Sequence, residues 1–134
     1  MIAFEQSKNT FQTFLDEATA QQKVVIFVSY IHKNMRLIGN VIIDERKIRE
    51  YLLVWKANSD KSKFLNSLGY VDEHWRELQT DIKSIVENND AELSKQSPFG
   101  GFLYRVIGSL RGSKVFTVWL WYEDEIKFVT LFPV

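Results

Sequence analysis

The sequence predicts an α+β domain in which N-terminal helices pack on a C-terminal antiparallel β-meander of three to four strands. Two observations support this prediction. Most apolar residues before position 90 recur at helical spacing, whereas β-branched and aromatic residues after Ala91 form short runs separated by tight turns. Turns this short force neighbouring strands to run antiparallel.

The predicted helices lie mainly in the first two thirds of the chain. Residues 4–21 have the apolar spacing of an amphipathic helix, Lys23–Ile31 is rich in strand-forming residues, and residues 34–40 are predicted as a loop. Three further helices follow, each with its own capping residue: Asp44 before Glu45–Leu53, Ser59 or Asp60 before a helix that ends at Gly69, and Asp72 at the start of a helix that reaches about Glu87.

The residue pattern in the last third of the chain predicts the antiparallel meander. Its strands are Phe102–Leu110, Lys114–Tyr122 and Ile126–Phe132, with Glu92–Gln96 as a candidate fourth. The middle strand is apolar on both faces, with Trp119 and Trp121 on one and Phe116 and Val118 on the other. Such a strand needs cover on both sides. We expect helices on one side and the N-terminal helix, a second subunit or a ligand on the other.

Composition limits the classes of function. The chain has 134 residues, 17 Lys+Arg against 17 Asp+Glu, no cysteine and 46% hydrophobic residues, which together predict one folded domain over residues 1–134. Neutral net charge disfavours a protein that coats polyanions, and the lack of cysteine excludes disulfides, thiolate metal sites and cysteine nucleophiles. No apolar stretch approaches the roughly 20 residues of a membrane span, so we expect a cytoplasmic protein without a membrane partner.

The charges are unevenly distributed along the chain. Residues 33–63 contain eight Lys/Arg and four Asp/Glu, whereas residues 68–134 contain seven and ten. The basic segment could form a local phosphate-binding patch. It could equally be a solvated helical face, because Glu45 and Arg49, and likewise Arg46 and Glu50, are four residues apart and able to pair.

The inventory of catalytic residues is short. No metal-binding motif, phosphate-binding loop or serine elbow is present, so we expect no metal and no cofactor. His74 and His32 are candidate proton-transfer groups, and Arg105, a cation within an apolar strand, is a candidate phosphate ligand. Cleavage of RNA fits this inventory, because the 2′-hydroxyl of the substrate is the nucleophile and the protein need only move protons and stabilise charge.

Three segments together resemble an uncharacterised bacterial family of small domains, known only as a domain of unknown function. Ile43–Leu53 is similar to I-D-x-R-K-[IL]-x-x-Y-L-L, and Lys61–Tyr70 is similar to K-x-x-F-[FL]-x-x-L-G-[FY]. Thr117–Trp119 with Phe128–Pro133 is similar to T-V-W followed by L-V-T-x-[YF]-P. The resemblance covers about residues 40–134, which leaves residues 1–39 as an N-terminal extension.

The order of helices and strands also resembles the broader barnase/EndoU/colicin/RelE group of metal-independent ribonuclease toxins, which are often produced with a neutralising protein partner. By matched position, this resemblance implies functional roles for Lys61, Trp119 and Thr130. The position before T-V-W, often arginine in the family, is Phe116 here. Arg105 on the adjacent strand is the candidate replacement.

Two hypotheses follow. The first is a metal-independent ribonuclease of toxin type that acts on RNA, with Lys61 and Arg105 binding phosphate, Thr130 assisting and His74 or His32 moving the proton. The second is a non-catalytic protein-interaction module, such as an antitoxin-like, immunity or phage-encoded inhibitor protein, with homodimerisation as a variant.

The first hypothesis depends on the register of the last hairpin. A two-residue turn places Thr130 on the same face as Trp119, whereas a three-residue turn places it with Arg105 and Val118.

Overall fold

A computed structural model describes residues 35–56 and 61–134 of the chain. The predicted helix over residues 4–21, the predicted strand Lys23–Ile31, His32 and the capping residues Ser59 and Asp60 lie outside the described residues.

The described residues form a five-stranded sheet with a few short helical elements, and the α+β class is therefore confirmed. The sheet has the strand order β1-β5-β4-β3-β2. Strands β2 to β5 pair antiparallel in sequence order, and β1 adds to the edge of β5 in parallel. The strands are β1 (Asn40–Ile42), β2 (Ala91–Gln96), β3 (Phe102–Leu110), β4 (Ser113–Tyr122) and β5 (Glu125–Pro133).

Two details of the predicted architecture were wrong. The sheet has five strands rather than three or four, and its first strand precedes the described helical elements, so that helices and strands are not cleanly segregated. The strand β1 begins at the last residue of the segment predicted as a loop and continues for two residues beyond it. It has only three residues, too few for the alternation that marks a strand in sequence.

The helical elements lie between β1 and β2. They are a π-helix (Lys47–Leu52), α1 (Lys61–Ser67), a 3₁₀ turn (Asp72–His74) and α2 (Trp75–Asn88). The predicted boundaries have clear physical causes in the structure. The Asp44 carboxylate accepts a hydrogen bond from the backbone N–H of Arg46 at 2.9 Å, and Gly69 ends the α1 segment with a φ of +89°.

Helix α2 covers one face of the sheet, which we call the inner face. It contributes the buried residues Leu78, Ile82, Ile85 and Val86, and the partly buried Trp75 at its start packs against the same core. At Gly108 of β3 the helix approaches closely, because a Cβ there would lie 2.6 Å from the Ile85 side chain. The inner face also carries these buried strand residues: Tyr104, Val106, Val115, Thr117, Trp119, Ile126, Phe128 and Leu131.

The turn between β4 and β5 has two residues, yet the side chains in the second half of β5 face the side opposite to the one that a two-residue turn predicts. Tyr122 pairs with Glu125, and both residues between them, Glu123 and Asp124, have positive φ. The ladder then shifts, because Phe128 pairs with Trp119 while Thr130 pairs with Val118. Val129 is therefore the extra residue of a β-bulge.

The bulge resolves the register that the sequence left open. Thr130 lies on the same face as Val118 and Arg105, opposite to Trp119, although the turn has two residues rather than three. We call this side of the sheet the outer face. Its residues are exposed or half-buried, and they include Arg105, Ile107, Phe116, Val118, Leu120, Thr130 and Phe132.

Within residues 35–56 and 61–134, none of the helices has the length and apolar character needed to cross a bilayer.

Candidate functional site

The Lys61 ammonium group is at the centre of the most concentrated polar contacts on the outer face. Its Nζ donates a hydrogen bond to Thr130 Oγ1 at 2.6 Å and another to the Tyr51 hydroxyl at 3.1 Å. Lys61 and Thr130 are 69 positions apart in sequence and Tyr51 is ten residues before Lys61. The fold therefore joins three helix and strand residues into one polar cluster.

Each member of the cluster comes from a different element. Tyr51 projects from the π-helix, whose Ile48 and Leu52 anchor it in the core. Lys61 is the first residue of α1, and the buried Leu65 of the same helix fixes α1 against the sheet. Thr130 faces outward only because the bulge at Val129 changes the phase of β5.

The edge of β5 explains why these elements meet. Strand β1 pairs only with the first part of β5, from Glu125 to Lys127. Beyond that point the Nζ of Lys47, in the π-helix, donates a hydrogen bond to the carbonyl oxygen of Val129 at 3.2 Å. The contact joins the π-helix directly to the bulged residue next to Thr130.

Electrostatics distinguish Tyr51 from an ordinary surface tyrosine. The hydrogen bond from the Lys61 ammonium lowers the pKa of the Tyr51 phenol, against a smaller opposing effect of burial. The positive charge of Lys61, the hydroxyl of Thr130 and the charge of Lys56, whose Nζ lies 4.6 Å from the Tyr51 ring centroid, act in the same direction. Tyr51 is 41% exposed, so part of its side chain faces solvent.

Arg105 lies on the same face, two strands away. It pairs with Val118, and Val118 pairs with Thr130, so Arg105 and Thr130 are separated by two interstrand spacings, or about 10 Å. Its guanidinium lies 5.4 Å from the centroid of the Phe116 ring and donates a hydrogen bond to Glu92 at 3.0 Å. Arg105 therefore lies over Phe116. Phe116 occupies the position before T-V-W, which is often arginine in the family that this chain resembles.

His74 lies elsewhere in the fold. It ends the 3₁₀ turn that leads into α2, the helix of the inner face, and its Nδ1 accepts a long hydrogen bond of 3.4 Å from the backbone N–H of Val71. The structure therefore groups Lys61 with Thr130 and places Arg105 on their face of the sheet, but it does not add His74 to this group.

Trp119 and Thr117, from the T-V-W motif, belong to the core. Both are fully buried. The Trp119 indole N–H donates to Thr117 Oγ1 at 2.7 Å, and the Thr117 hydroxyl donates to the carbonyl of Val106 at 2.8 Å. The Trp119 ring also packs edge-on against Phe128, with centroids 5.4 Å apart. These contacts give the two residues a structural role.

Part of the basic segment is neutralised by local pairs. Arg46 bonds to Glu50 at 3.2 Å, and Arg49 bonds to Glu45 at 3.1 Å and to Asp72 at 2.9 Å. The predicted helical pairs are therefore confirmed. Lys47, Lys56 and Lys61 are directed instead towards β5 and Tyr51.

Tyr51 is the functional candidate that the sequence did not single out. Its position among Ile48 and Leu52 suggested an apolar helix residue, whereas its side chain is half exposed. The only signal was its place in the Y-L-L motif. The π-helix that orients it is rare, is often associated with functional sites, and has no recognisable sequence pattern.

A family model described as "Domain of unknown function (DUF6883)" matches residues 34–134, which include every member of the cluster. No match was found among curated proteins or among solved structures.

Proposed function

The chain belongs to the DUF6883 family, whose description assigns no activity, and we propose that it is a metal-independent ribonuclease of toxin type acting on RNA. The observation that carries this proposal is the direct hydrogen bonding of Lys61 to both Tyr51 and Thr130 on an accessible face of the sheet. The Tyr51 hydroxyl lies 3.1 Å from the Lys61 ammonium, so a group that accepts a proton when it is ionised and a charge stabiliser meet at one point.

The reaction balances without a metal. Tyr51, as phenolate, accepts the proton of the RNA 2′-hydroxyl while the 2′-oxygen forms a bond to the adjacent phosphorus. The bond from phosphorus to the 5′-oxygen breaks, and that oxygen takes a proton from solvent. The products are a 2′,3′-cyclic phosphate and a 5′-hydroxyl end.

Lys61 supports this step in two ways. Its ammonium stabilises the Tyr51 phenolate, and it faces the site at which negative charge grows on the phosphate oxygens. Thr130 holds the ammonium in position through the 2.6 Å hydrogen bond and is a positioning residue. In this proposal Arg105, farther along the outer face, exchanges its Glu92 partner for a neighbouring phosphate.

The test is incubation of the purified protein with total RNA and with tRNA in EDTA. We expect cleavage that leaves 2′,3′-cyclic ends, and no cleavage of the same sequence made with 2′-deoxyribose. Tyr51→Phe and Lys61→Met should each lower the rate about 10²-fold or more, the usual contribution of a proton-transfer group or charge stabiliser. Lys63→Met, on the exposed side of the same helix, is the matched control and should cleave like the unmodified protein.

Two results would overturn the proposal. One is intact RNA after incubation with the unmodified protein, together with normal growth of bacteria that express it. The other is an equal loss of activity in the Lys63→Met and Lys61→Met variants.

A second candidate function is a non-catalytic interaction module, and the apolar character of the outer face favours it. Ile107 is 40% exposed and Phe132 is 42% exposed, with Phe116 and Val118 half-buried between them. Its simplest form is a homodimer that joins two outer faces. A dimer by light scattering that becomes monomeric with Ile107→Glu would support this form, and a monomer at micromolar concentration would exclude the homodimer.

A further inference from the structure

Cationic and aromatic side chains contact one another along the outer face, from the π-helix across β5 and β4 to β3. We call these six residues the cation–aromatic row, and in spatial order they are Lys56, Tyr51, Lys61, Phe132, Phe116 and Arg105. Lys61 Nζ lies 5.0 Å from the Tyr51 ring centroid and 4.4 Å from that of Phe132. Phe132 and Phe116 meet edge to face at 6.3 Å, and Arg105 lies over Phe116.

The register of the sheet makes the row continuous. Phe116 and Phe132 are direct partners on neighbouring strands, and Phe116 is two residues from the Arg105 partner Val118, on the same face of β4. The bulge at Val129 is essential here, because without the phase change Phe132 would face α2. The row is therefore a product of the fold and passes directly over the Lys61–Thr130 contact.

The aromatic members are accessible to a ligand. Tyr51 is 41% exposed and Phe132 is 42% exposed. Exposed aromatic rings beside lysines provide stacking surfaces with a cation within reach of each. The row has only three cations, so electrostatic attraction alone would be weak.

We propose that the cation–aromatic row binds single-stranded RNA, with unstacked bases on Tyr51 and Phe132 and phosphates at Lys56, Lys61 and Arg105. Rings and cations that lie side by side can contact the bases and the phosphates of one strand at the same time. A duplex offers no base faces to these rings, and an apolar protein surface would remove the Lys61 ammonium from water without supplying a new partner. The inference rests on the proposed function, for which it names the form of the substrate.

The experiment measures binding without cleavage. A fluorescently labelled 2′-O-methyl RNA of about eight nucleotides, within the site size of a small single-strand-binding domain, cannot be cut because it lacks the attacking hydroxyl. Its anisotropy is measured in EDTA against that of the same strand annealed to its complement. We expect the single strand to bind about tenfold more tightly or better, with a slope of log affinity against log salt near −2 for about three phosphate contacts.

Two variants test the row itself. Phe132→Leu should weaken single-strand binding about tenfold, as expected for loss of one base-stacking ring. Lys56→Gln should weaken it less and should also reduce the salt slope by about 0.7. Phe99→Leu is the matched control, because Phe99 is an aromatic residue 94% exposed in the turn between β2 and β3, outside the row, and it should bind like the unmodified protein.

Equal affinity for single strand and duplex, or equal effects of Phe132→Leu and Phe99→Leu, would overturn the inference. The two proposals fail separately. Cleavage of RNA without a preference for single strands would leave the ribonuclease and remove the row as its binding surface. Tight, Phe132-dependent binding of the 2′-O-methyl strand with no cleavage of ordinary RNA would leave the row and remove the ribonuclease.

Discussion

Thr117 shows how a single residue of the T-V-W motif acts in the core. Its hydroxyl is fully buried. It donates a hydrogen bond to the Val106 carbonyl and accepts one from the Trp119 indole N–H. The indole N–H of Trp119 is thereby satisfied in an otherwise apolar interior, where an unpaired donor is costly. The Thr-x-Trp spacing places both side chains on the inner face of β4, so the motif is explained by packing.

Replacing Thr117 with valine should therefore lower the free energy of unfolding by about 1–3 kcal/mol, because the Trp119 indole N–H and the buried carbonyl lose a partner while side-chain volume is kept. Urea denaturation followed by tryptophan fluorescence measures the change. Thr117→Ser, which keeps the hydroxyl, is the control and should lose less stability than Thr117→Val. Equal losses would show that packing of the Thr117 methyl group, and not the hydrogen bonds, dominates.

Among the elements, β5 does most to build the site, and its bulge is the cause. The buried residues of β5 are Ile126, Phe128 and Leu131. The first two are two positions apart in sequence, and the last two are three positions apart. The three-residue step at Val129 keeps Leu131 in the core and brings Thr130 to the outer face beside Lys61. A regular strand with the same two-residue turn would bury Thr130 and separate it from Lys61.

Deletion of Val129 tests this interpretation of β5. Removing the extra residue leaves a regular ladder in which Phe128 still faces inward and Thr130 still faces Lys61, so we expect a folded protein with a modest loss of stability. Deletion of Lys127, a regular position, would place Val129 where Phe128 packs on Trp119. A large-to-small core change of this kind costs about 2–4 kcal/mol.

Thermal unfolding followed by circular dichroism compares the two deletions. The interpretation requires the Val129 deletion to have the higher melting temperature. If deletion of Lys127 were tolerated better, the bulge would be needed for stability and not only for the direction of Thr130.

For the molecule as a whole, the buried tyrosines set the response to alkaline pH. Burial raises the pKa of Tyr104 to about 12, and burial together with the hydrogen bond to Asp81 raises the pKa of Tyr70 further. Both phenols stay protonated in the folded state at a pH at which the unfolded chain ionises, near 10. The unfolded state then binds fewer protons than the folded state, so stability falls as pH rises above about 10.

We expect the urea midpoint to decrease between about pH 10 and pH 12 and the decrease to be smaller for Tyr104→Phe. Tyr122→Phe is the control, because Tyr122 lies exposed at the end of β4, and its pH dependence should match that of the unmodified protein. A midpoint for the unmodified protein that stays constant over this range would contradict the expectation.

Local features of the fold could be predicted from the sequence, and the assembly of the site could be predicted in part. Phe102–Leu110, the buried stripe of α2 and the helix end at Gly69 follow from periodicity and from backbone preferences that act over a few residues. The strand β1 was missed because its three residues are held by pairing with β5, 85 positions away in sequence. Lys61, Thr130 and Arg105 were identified as candidates by resemblance and residue type, but their common face depended on the register.

The sequence by itself determined the α+β class, the antiparallel meander and the family, because these depend on patterns within short segments or on matched motifs. Only the tertiary structure decided that Tyr51 joins Lys61, that Thr130 faces outward, and that rings and cations form one row across three strands. The physical reason is that one bulged residue reverses the side-chain direction of a strand, and a bulge is selected by contacts between distant elements and not by the residues of the strand alone.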